Sequence, residues 1–368
     1  MNNKMIRAIG AGVLVSVWLA LTGFAWFGPK QEISDAERRP LDQMPEITWE
    51  SIQNGKFMQD FESFTLDQFP LRDSFRKAKA LFHYNVLQQG DNNGIYVVDG
   101  YAAKQEYPLN ETSVANALQR FNHIYSKYLE NTNCNIHFAI VPDKGYYLAE
   151  DSGHLAMDYE KLFSLVQEGT PWANHVDLTD TLTAQDYYRT DTHWRQEKLI
   201  GAAAKLCQAM GVTAPKAEDF TVSQVERPFY GVYYGQAALP MDAEYIYTMN
   251  SKVISRCSVF NHENNRKTTV YDMSKLSSKD LYDVYLSGAT ALLTITNPNA
   301  TTDKELVVFR DSFGSSMVPL LVQDYKTVTL VDIRYINSDF IGNYLQFNDQ
   351  DVLFMYSTLI LNSSAALK

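Results

Sequence analysis

Two short stretches carry the residue types that acyl chemistry needs. The first is Glu305-Leu-Val-Val-Phe-Arg-Asp-Ser-Phe-Gly-Ser-Ser316. Here an apolar strand ends, and Asp311 and Ser312 fall in the turn before a helix starting near Gly314. Open α/β sheets hold ligands at the carboxyl ends of their strands, so a serine at this junction stands where a substrate would bind. The backbone N–H groups after it, together with the positive end of the helix, can bind a developing oxyanion. The same residues also suit a plain helix N-cap, a role in which neither Asp311 nor Ser312 does chemistry.

The second stretch is Arg189-Thr-Asp-Thr-His-Trp194, just ahead of a helical pattern. Asp191 and His193 are two apart, so in an extended segment they share a face. A carboxylate so placed orients the imidazole and stabilises its protonated form. The structural alternative has Asp191 or Thr192 capping the helix and His193 half-buried. Asp-x-His is also a metal-ligand spacing, but few other His and Asp pairs stand nearby in motif-like contexts, and no metal is expected. Of the seven histidines, His193 has the best partner and position. His137 lies in an apolar strand, His83 and His123 on helices, His154 and His262 in loops, and His175 begins a strand without a companion. Taken together, a serine at one turn and an Asp-x-His pair at another supply a nucleophile, its base and the group that orients the base.

The surrounding pattern is that of an α/β sheet. Residues 49–87 read as mainly helical, with Phe57, Phe61, Phe64, Leu66 and Phe69 spaced for an apolar face. Pro70 breaks that run, and a second helix is expected from Asp73. Asn93-Gly94 and Asp99-Gly100 around 95–98 signal a hairpin. A helical stretch from Asn116 leads into the apolar run IHFAIVP, and helix followed by buried strand is the α/β rhythm. A second strand is expected at 175–178, and a helix over 196–210 stopped by Gly211. Residues 221–297 change character, with Tyr-rich alternating pieces that read as antiparallel strands or long loops inserted in the sheet. The rhythm then returns with the strands LVVF, TVTLVDI and DVLFMYS.

Composition narrows the function. At 368 residues and 45% hydrophobic, the chain is too long and apolar for a disordered tail or a disulfide-stapled miniprotein. Its formal net charge of −11 lacks the basic field of a nucleic-acid binder, so nucleic acid is not expected as a partner. Cys134, Cys207 and Cys257 have no C-x-x-C spacing, which excludes a cysteine-rich zinc module and gives no disulfide framework, with one bridge left open. Residues 8–27 carry no charge and as a helix would span roughly 30 Å, the thickness of a hydrocarbon core. Lys4 and Arg7 precede them and Glu32, Asp35 and Glu37 follow, which places 1–7 in the cytoplasm and the remainder outside. An uncleaved single-pass anchor is the expectation, with a cleaved signal peptide as its rival because both share an apolar core. Residues 28–48 read as a tether and 49–368 as one α/β domain.

At this point the motifs resemble a known group. Glu37-Arg38-Arg39-Pro40-Leu41, FESFTLDQFPLRD, NNGIYV, VPDK, DTHW, FYGVYYG, RDSFG and VDIRY are similar to the DHHW family of bacterial cell-surface proteins. They are similar also to the related alginate O-acetyltransferases, within the SGNH hydrolase superfamily. The tetrapeptide of the family's name stands here as Asp191-Thr192-His193-Trp194, with Thr in place of the first His as in the alginate enzymes. The usual SGNH order puts Ser first and Asp-x-x-His last. Here the order is reversed, like the circular permutation of the alginate-type branch.

The resemblance implies an SGNH-hydrolase-like three-layer α/β sandwich with a β-rich insertion at about 221–297. It implies Ser312 as nucleophile, His193 as general base and acid, and Asp191 as orienter. The Gly and Asn that complete the SGNH oxyanion hole have no evident counterpart; Gly314, Arg334 and Ser357 stand nearest their places. A counterpart of the alginate enzyme's carbohydrate-binding module is not seen either, so a polymer grip falls to aromatics such as Tyr230, Tyr233, Tyr234 and Tyr285, for which buried packing is the competing role. The expected activity is acyl transfer on an extracytoplasmic polysaccharide or peptidoglycan glycan through an acyl-serine. An O-acetyltransferase is expected first, and an acetylesterase if water is the acceptor. Neither calls for a metal or bound cofactor. A polytopic membrane-bound O-acyltransferase supplying the acyl group is implied as a partner by resemblance. The rival from another class is a non-catalytic cell-envelope adaptor keeping the fold, for which the triad geometry would not close or Ser312 would take no covalent label.

Overall fold

Apolar runs bounded by turn residues become the inner strands of a sheet, and charged or Pro-interrupted stretches become the helices before it. The computed structural model describes residues 3–34 and 36–368. Met1 and Asn2 of the expected cytoplasmic stretch, and Asp35 of the acidic flank, lie outside the described residues. The chain divides into two compact units, Met1–Asn93 with Tyr234–Pro240, and Gly94–Tyr233 with Met241–Lys368.

The first unit begins with helix α1 (Asn3–Phe27). Among the described residues, one helix is long and apolar enough to cross a membrane, Lys4–Phe27, and a signal sequence passes the same test of length and composition. Strands β1 (Ile33–Ser34) and β2 (Arg39–Pro40) pair antiparallel. Helices α2 (Trp49–Gln53), α3 (Lys56–Asp67) and α4 (Arg72–Leu81) follow, and one π-helical turn, Phe82–Val86, extends α4. The break at Pro70 falls between α3 and α4. The 28–48 segment is held down by charge: Arg39 grips Asp67 with two bonds of 2.8 and 2.6 Å. Arg72 and Arg76 reach Glu37 at 2.5 and 3.2 Å, and Leu41 is buried.

The second unit opens with the hairpin β3 (Ile95–Val98) and β4 (Tyr101–Lys104), as the two Gly turns predict. Its helices are α5 (Glu111–Ile124), α6 (Lys144–Ser152), α7 (Tyr159–Gly169), α8 (Ile200–Ala209), α9 (Val232–Ala237, which continues into the first unit), α10 (Gly314–Met317) and α11 (Thr358–Asn362). Its other strands are β5 (Asn135–Val141), β6 (Asn174–His175), β7 (Thr221–Phe229), β8 (Glu244–Asn250), β9 (Ser258–Asn261), β10 (Arg266–Thr268), β11 (Leu292–Thr296), β12 (Glu305–Arg310), β13 (Thr327–Val331) and β14 (Asp351–Ser357).

Eight strands form one sheet in the order β10-β9-β11-β13-β12-β14-β5-β6. The run β13-β12-β14-β5-β6 is parallel, and β11, β9 and β10 extend it antiparallel. This mixed α/β fold with a large sheet agrees with the α/β rhythm of the sequence. Both faces of the parallel strands are covered, so alternate residues enter different cores. Leu306, Val308, Leu353 and Met355 pack with Leu206 and Met317 on one face. Val307, Phe309, Val352 and Phe354 pack with Phe121 and Leu162 on the other.

Three local expectations shift. The helix read over 196–210 is a 3₁₀ turn, Gln196–Lys198, followed by α8, which ends before Gly211 at φ +67°. Gln196 is fully buried and donates to the Ser316 carbonyl (2.8 Å) while accepting from Met249 N–H (3.0 Å), so its side chain fixes the backbone off the helix axis. The strand read at 175–178 pairs only over Asn174–His175, because Asp177 accepts from Thr179 N–H and turns the chain. Residues 221–297 divide in two: β7 and β8 form their own ladder, whereas β9, β10 and β11 join the main sheet.

Candidate active site

The parallel strands β5, β12 and β14 all deliver their carboxyl ends to one edge of the sheet. After β12 the chain turns through Asp311, Ser312 and Phe313. Asp311 is fully buried and braces this turn: one oxygen accepts from Phe313 N–H (3.0 Å), the other from Ser357 N–H at the end of β14 (2.7 Å). Gly314 N–H returns to the Asp311 carbonyl (3.2 Å) and Ser315 N–H to the Ser312 carbonyl (3.1 Å). A Cβ on Gly314 would stand 2.8 Å from Arg310 Cβ, so the turn needs glycine there for space. The Ser312 N–H has no acceptor among the described residues.

The Asp-x-His pair arrives on a loop closed by a bridge between Tyr187 and Trp194, with Tyr188 N–H donating to the His193 carbonyl (3.0 Å). Asp191 is fully buried, and one of its oxygens accepts both His193 N–H (3.0 Å) and the ring Nδ1–H (2.6 Å). Its other oxygen accepts from Val232 N–H (2.8 Å). With the ring in that tautomer, Nε2 is the acceptor for the Ser312 hydroxyl at 2.8 Å. Asp191, His193 and Ser312 thus form one continuous hydrogen-bonded chain.

Further residues hold this chain, and most escape a reading of the sequence. The Tyr282 ring stacks on His193 at 3.9 Å and 10°. Its hydroxyl meets Ser316 Oγ (2.7 Å), which also accepts from Trp194 Nε1 (2.9 Å). Glu244 accepts from the N–H groups of Arg189 and Thr190, both at 2.7 Å, and from the Thr190 hydroxyl. Gly231 N–H donates to Thr190 Oγ (2.9 Å). Lys144, 2% exposed, donates to the Tyr188 carbonyl (2.8 Å) and lies 5.1 Å from the centre of the Tyr233 ring. Burial pushes its ammonium down to about 7, against the opposing pull of Asp191, Glu244 and Asp143. Lys144 and Gly231 fall inside the motifs VPDK and FYGVYYG. Nothing local distinguishes Glu244 or Tyr282.

The remaining sequence-predicted residues have other attachments. Gly314 opens α10, with its N–H already used in the turn. Arg334 is clamped by Asp332 through bonds of 2.9 and 2.6 Å. Burial works against its charge, but that pairing holds the guanidinium above its usual range. Ser357 caps α11 by accepting from Ile360 N–H (3.3 Å). Tyr285, read as a polymer-facing aromatic, is fully buried and donates to the Tyr247 carbonyl (2.5 Å), because its ring packs with Tyr282 in a small aromatic core. Tyr233 is buried as well, whereas Tyr230 is 45% exposed. Among the described residues, no group of three His, Cys, Asp or Glu side chains is arranged to hold a metal ion.

A buried carboxylate, an oriented imidazole and a serine ahead of a helix start are thus joined at the carboxyl edge of a mixed α/β sheet. Residues 179–331, which contain both motifs, match the model of the family described as DHHW protein, and the resemblance read from those motifs holds. A DHHW family protein from Eubacterium siraeum aligns with a TM-score of 0.61 at 20% identity, covering 75% of this chain and 94% of that one. Bacillus cereus PatB1, solved with a sulfonyl adduct, aligns at 0.57 and 18% identity, over 73% of this chain and 95% of its own. The O-acetyltransferase domain of Pseudomonas putida AlgJ gives 0.44 at 14% identity, over 73% and 92%. No curated protein matches the chain. At these identities the likeness is one of fold.

Proposed function

We propose that this chain is an acyl-transfer enzyme acting on a cell-surface glycan, in the manner of a polysaccharide O-acetyltransferase, through an acyl-serine at Ser312. The observation that carries the reading is the unbroken Asp191–His193–Ser312 chain, with 2.6 and 2.8 Å links. As Ser312 Oγ bonds to the acyl carbonyl carbon, its proton passes to His193 Nε2. Asp191 keeps the Nδ1 proton in place and stabilises the imidazolium. The negative charge on the carbonyl oxygen falls to the uncommitted Ser312 N–H at the start of α10. Collapse expels the donor's alkoxide, which takes the proton from Nε2 and leaves the acyl-serine. A sugar hydroxyl then gives its proton to Nε2, attacks the ester carbon and departs as the acylated sugar, with the proton returned to Ser312.

In this reading the fold is an SGNH-like sandwich whose motif order is permuted, Asp-x-His preceding Ser. The chain is held by α1, with its enzyme portion outside the cell and a polytopic membrane O-acyltransferase delivering acyl groups. The adaptor alternative predicts a triad that does not close or a Ser312 that takes no covalent label; the 2.6 and 2.8 Å links speak against the first, and labelling decides the second.

The test uses the full chain in detergent or nanodiscs with an activated acetyl ester, beside Ser312→Ala and His193→Ala. Loss of turnover in both variants at unchanged melting supports the acyl-serine route. Acetylated sugar from an added oligosaccharide supports transferase over esterase. Equal rates for all three proteins, with no sulfonyl fluoride attached to Ser312, would sink the proposal.

A further inference from the structure

Helix α4 carries its apolar residues on the outside. Leu71, Phe75, Ala78, Phe82 and Val86 recur at intervals of three and four, so they line one face of α4 and its π-helical extension. Leu71 is 71% exposed, Phe75 and Phe82 51%, and Val86 64%. The inward side is the charged one: Arg72 and Arg76, with side chains 16% exposed, point to Glu37 and Asp67. A helix on a water-facing surface has the reverse arrangement. The pattern extends beyond α4. On α3, Phe61 and Phe64 turn inward while Met58 and Leu66 stay over 60% exposed, and Ile47 and Trp49 are 67% and 74% exposed. Large apolar side chains gathered in this way mark a surface that something covers.

We propose that this face of the first unit is seated in the lipid surface of the membrane that α1 enters. The inference rests on the anchoring role of α1 and is independent of the acyl-transfer chemistry. Three observations favour lipid as the occupant. The end of α1 is built into this unit: the Trp26 ring is 5.5 Å from Phe61, and Ala25 is 2% exposed. Lys30 donates to the Ala25 carbonyl and sits 4.6 Å from the centre of the Phe64 ring, and Gln31 N–H donates to Gln68 at the end of α3 (2.9 Å). The helices bearing the apolar face therefore stand where α1 leaves the apolar phase. Charge agrees as well. Within a chain of net charge −11, Arg72 and Arg76 are taken up by Glu37 and Asp67, and the exposed cations of α4 are Lys77, 5.9 Å from the centre of the Tyr234 ring, and Lys79. Long basic side chains flanking an apolar stripe reach anionic headgroups while the stripe enters the acyl boundary.

The test uses the full chain in nanodiscs containing anionic lipid, one copy per disc, so that neither a protein partner nor a second copy can cover the face. In a Cys134→Ser background, a nitroxide is placed at Phe75→Cys or Phe82→Cys. Trp18→Cys on α1 serves as the lipid reference and Asp303→Cys as the water reference. Lipid seating predicts that the ratio of oxygen to nickel-chelate accessibility at 75 and 82 is several-fold above that at 303 and approaches that at 18. Chelate access at 75 and 82 equal to that at 303 would overturn the proposal and leave a protein as the occupant. Carbonate extraction of the full chain from its own membranes separates the two layers. Release into the supernatant removes the anchor, and the seat with it, while Ser312 labelling is untouched.

Discussion

Gly231 offers a test of the acid's position that changes no member of the hydrogen-bonded chain. A Cβ at residue 231 would stand 2.2 Å from Asp191 Cβ, 2.3 Å from Asp191 Cα and 2.4 Å from the Thr190 carbonyl oxygen. All three neighbours lie on or next to the backbone, and none can swing away. In Gly231→Ala the two segments must therefore part by at least about 1.3 Å to reach ordinary contact distance. A bond of 2.8 Å stretched by that much ceases to be one, so Asp191 loses the Val232 N–H, and Thr190 loses the N–H of residue 231. Losing a hydrogen bond to a buried carboxylate costs about 1.5–3 kcal/mol. Displacing a positioning group by ~1 Å lowers turnover on the order of 100-fold. Gly231→Ala is thus expected to cut kcat/KM for an activated acetyl ester by about 100-fold, with the rate of sulfonyl labelling at Ser312 falling in parallel. The Tm of the second unit is expected to drop by roughly 3–6 °C. Wild-type kcat/KM in the folded variant would refute the claim that the 231–232 backbone holds Asp191 in register.

Two further predictions concern pH. Lys144 has its folded value pushed down to about 7, below that of an unfolded lysine, so between these limits the unfolded chain binds more protons and stability rises with pH. Urea midpoints of the wild type and Lys144→Met at pH 7 and 9.5 are expected to show the wild type gaining on the variant as pH rises; a constant difference would refute the assignment. His137 is buried in β5 with neither ring nitrogen bonded among the described residues, and burial lowers its pKa from 6.5. His175 and His262 are lowered by burial too. The stability these neutral rings permit is whole above about pH 6.5 and declines below it, as the unfolded chain takes up protons first. His137→Phe is expected to flatten that decline in thermal scans from pH 7 to 5.

The residues at the centre of the site were legible because their signals are local. Asp191 and His193 do meet, but across a bend and not along an extended strand, one carboxylate oxygen accepting both the His193 N–H and the ring Nδ1–H, and Ser312 follows an apolar run that reads as a buried strand. The inner strands were legible for the same reason. What stayed hidden depends on distant partners. Whether β11 pairs with β13 or stands apart in an insertion is decided by register between segments, not by either segment alone. Glu244 and Tyr282 contact the Asp-x-His loop from the Tyr-rich region, and no spacing announces it. Tyr285 shows the converse: an aromatic count suggests a sugar-facing surface, while burial turns the ring inward. Periodicity also revealed that 49–87 has an apolar face but not which way each helix turns it. For α4 the answer came from the arginines, whose carboxylate partners lie outside that window.

The strand order sets a timetable for assembly. Strand β12, which ends at the nucleophile's turn, lies between β13 and β14, both made after it. The turn is braced from the end of β14 by the Ser357 N–H. A ribosome that has already passed Ser312, His193 and Asp191 has therefore released every reacting group but not the scaffold that brings them within bonding distance. On the proposed chemistry the growing chain is expected to stay latent until β14 has been made. On that chemistry a version cut before Asp351 is expected to keep Asp191, His193 and Ser312 and yet take no label at Ser312, so labelling there doubles as a measure of chains that carry β14.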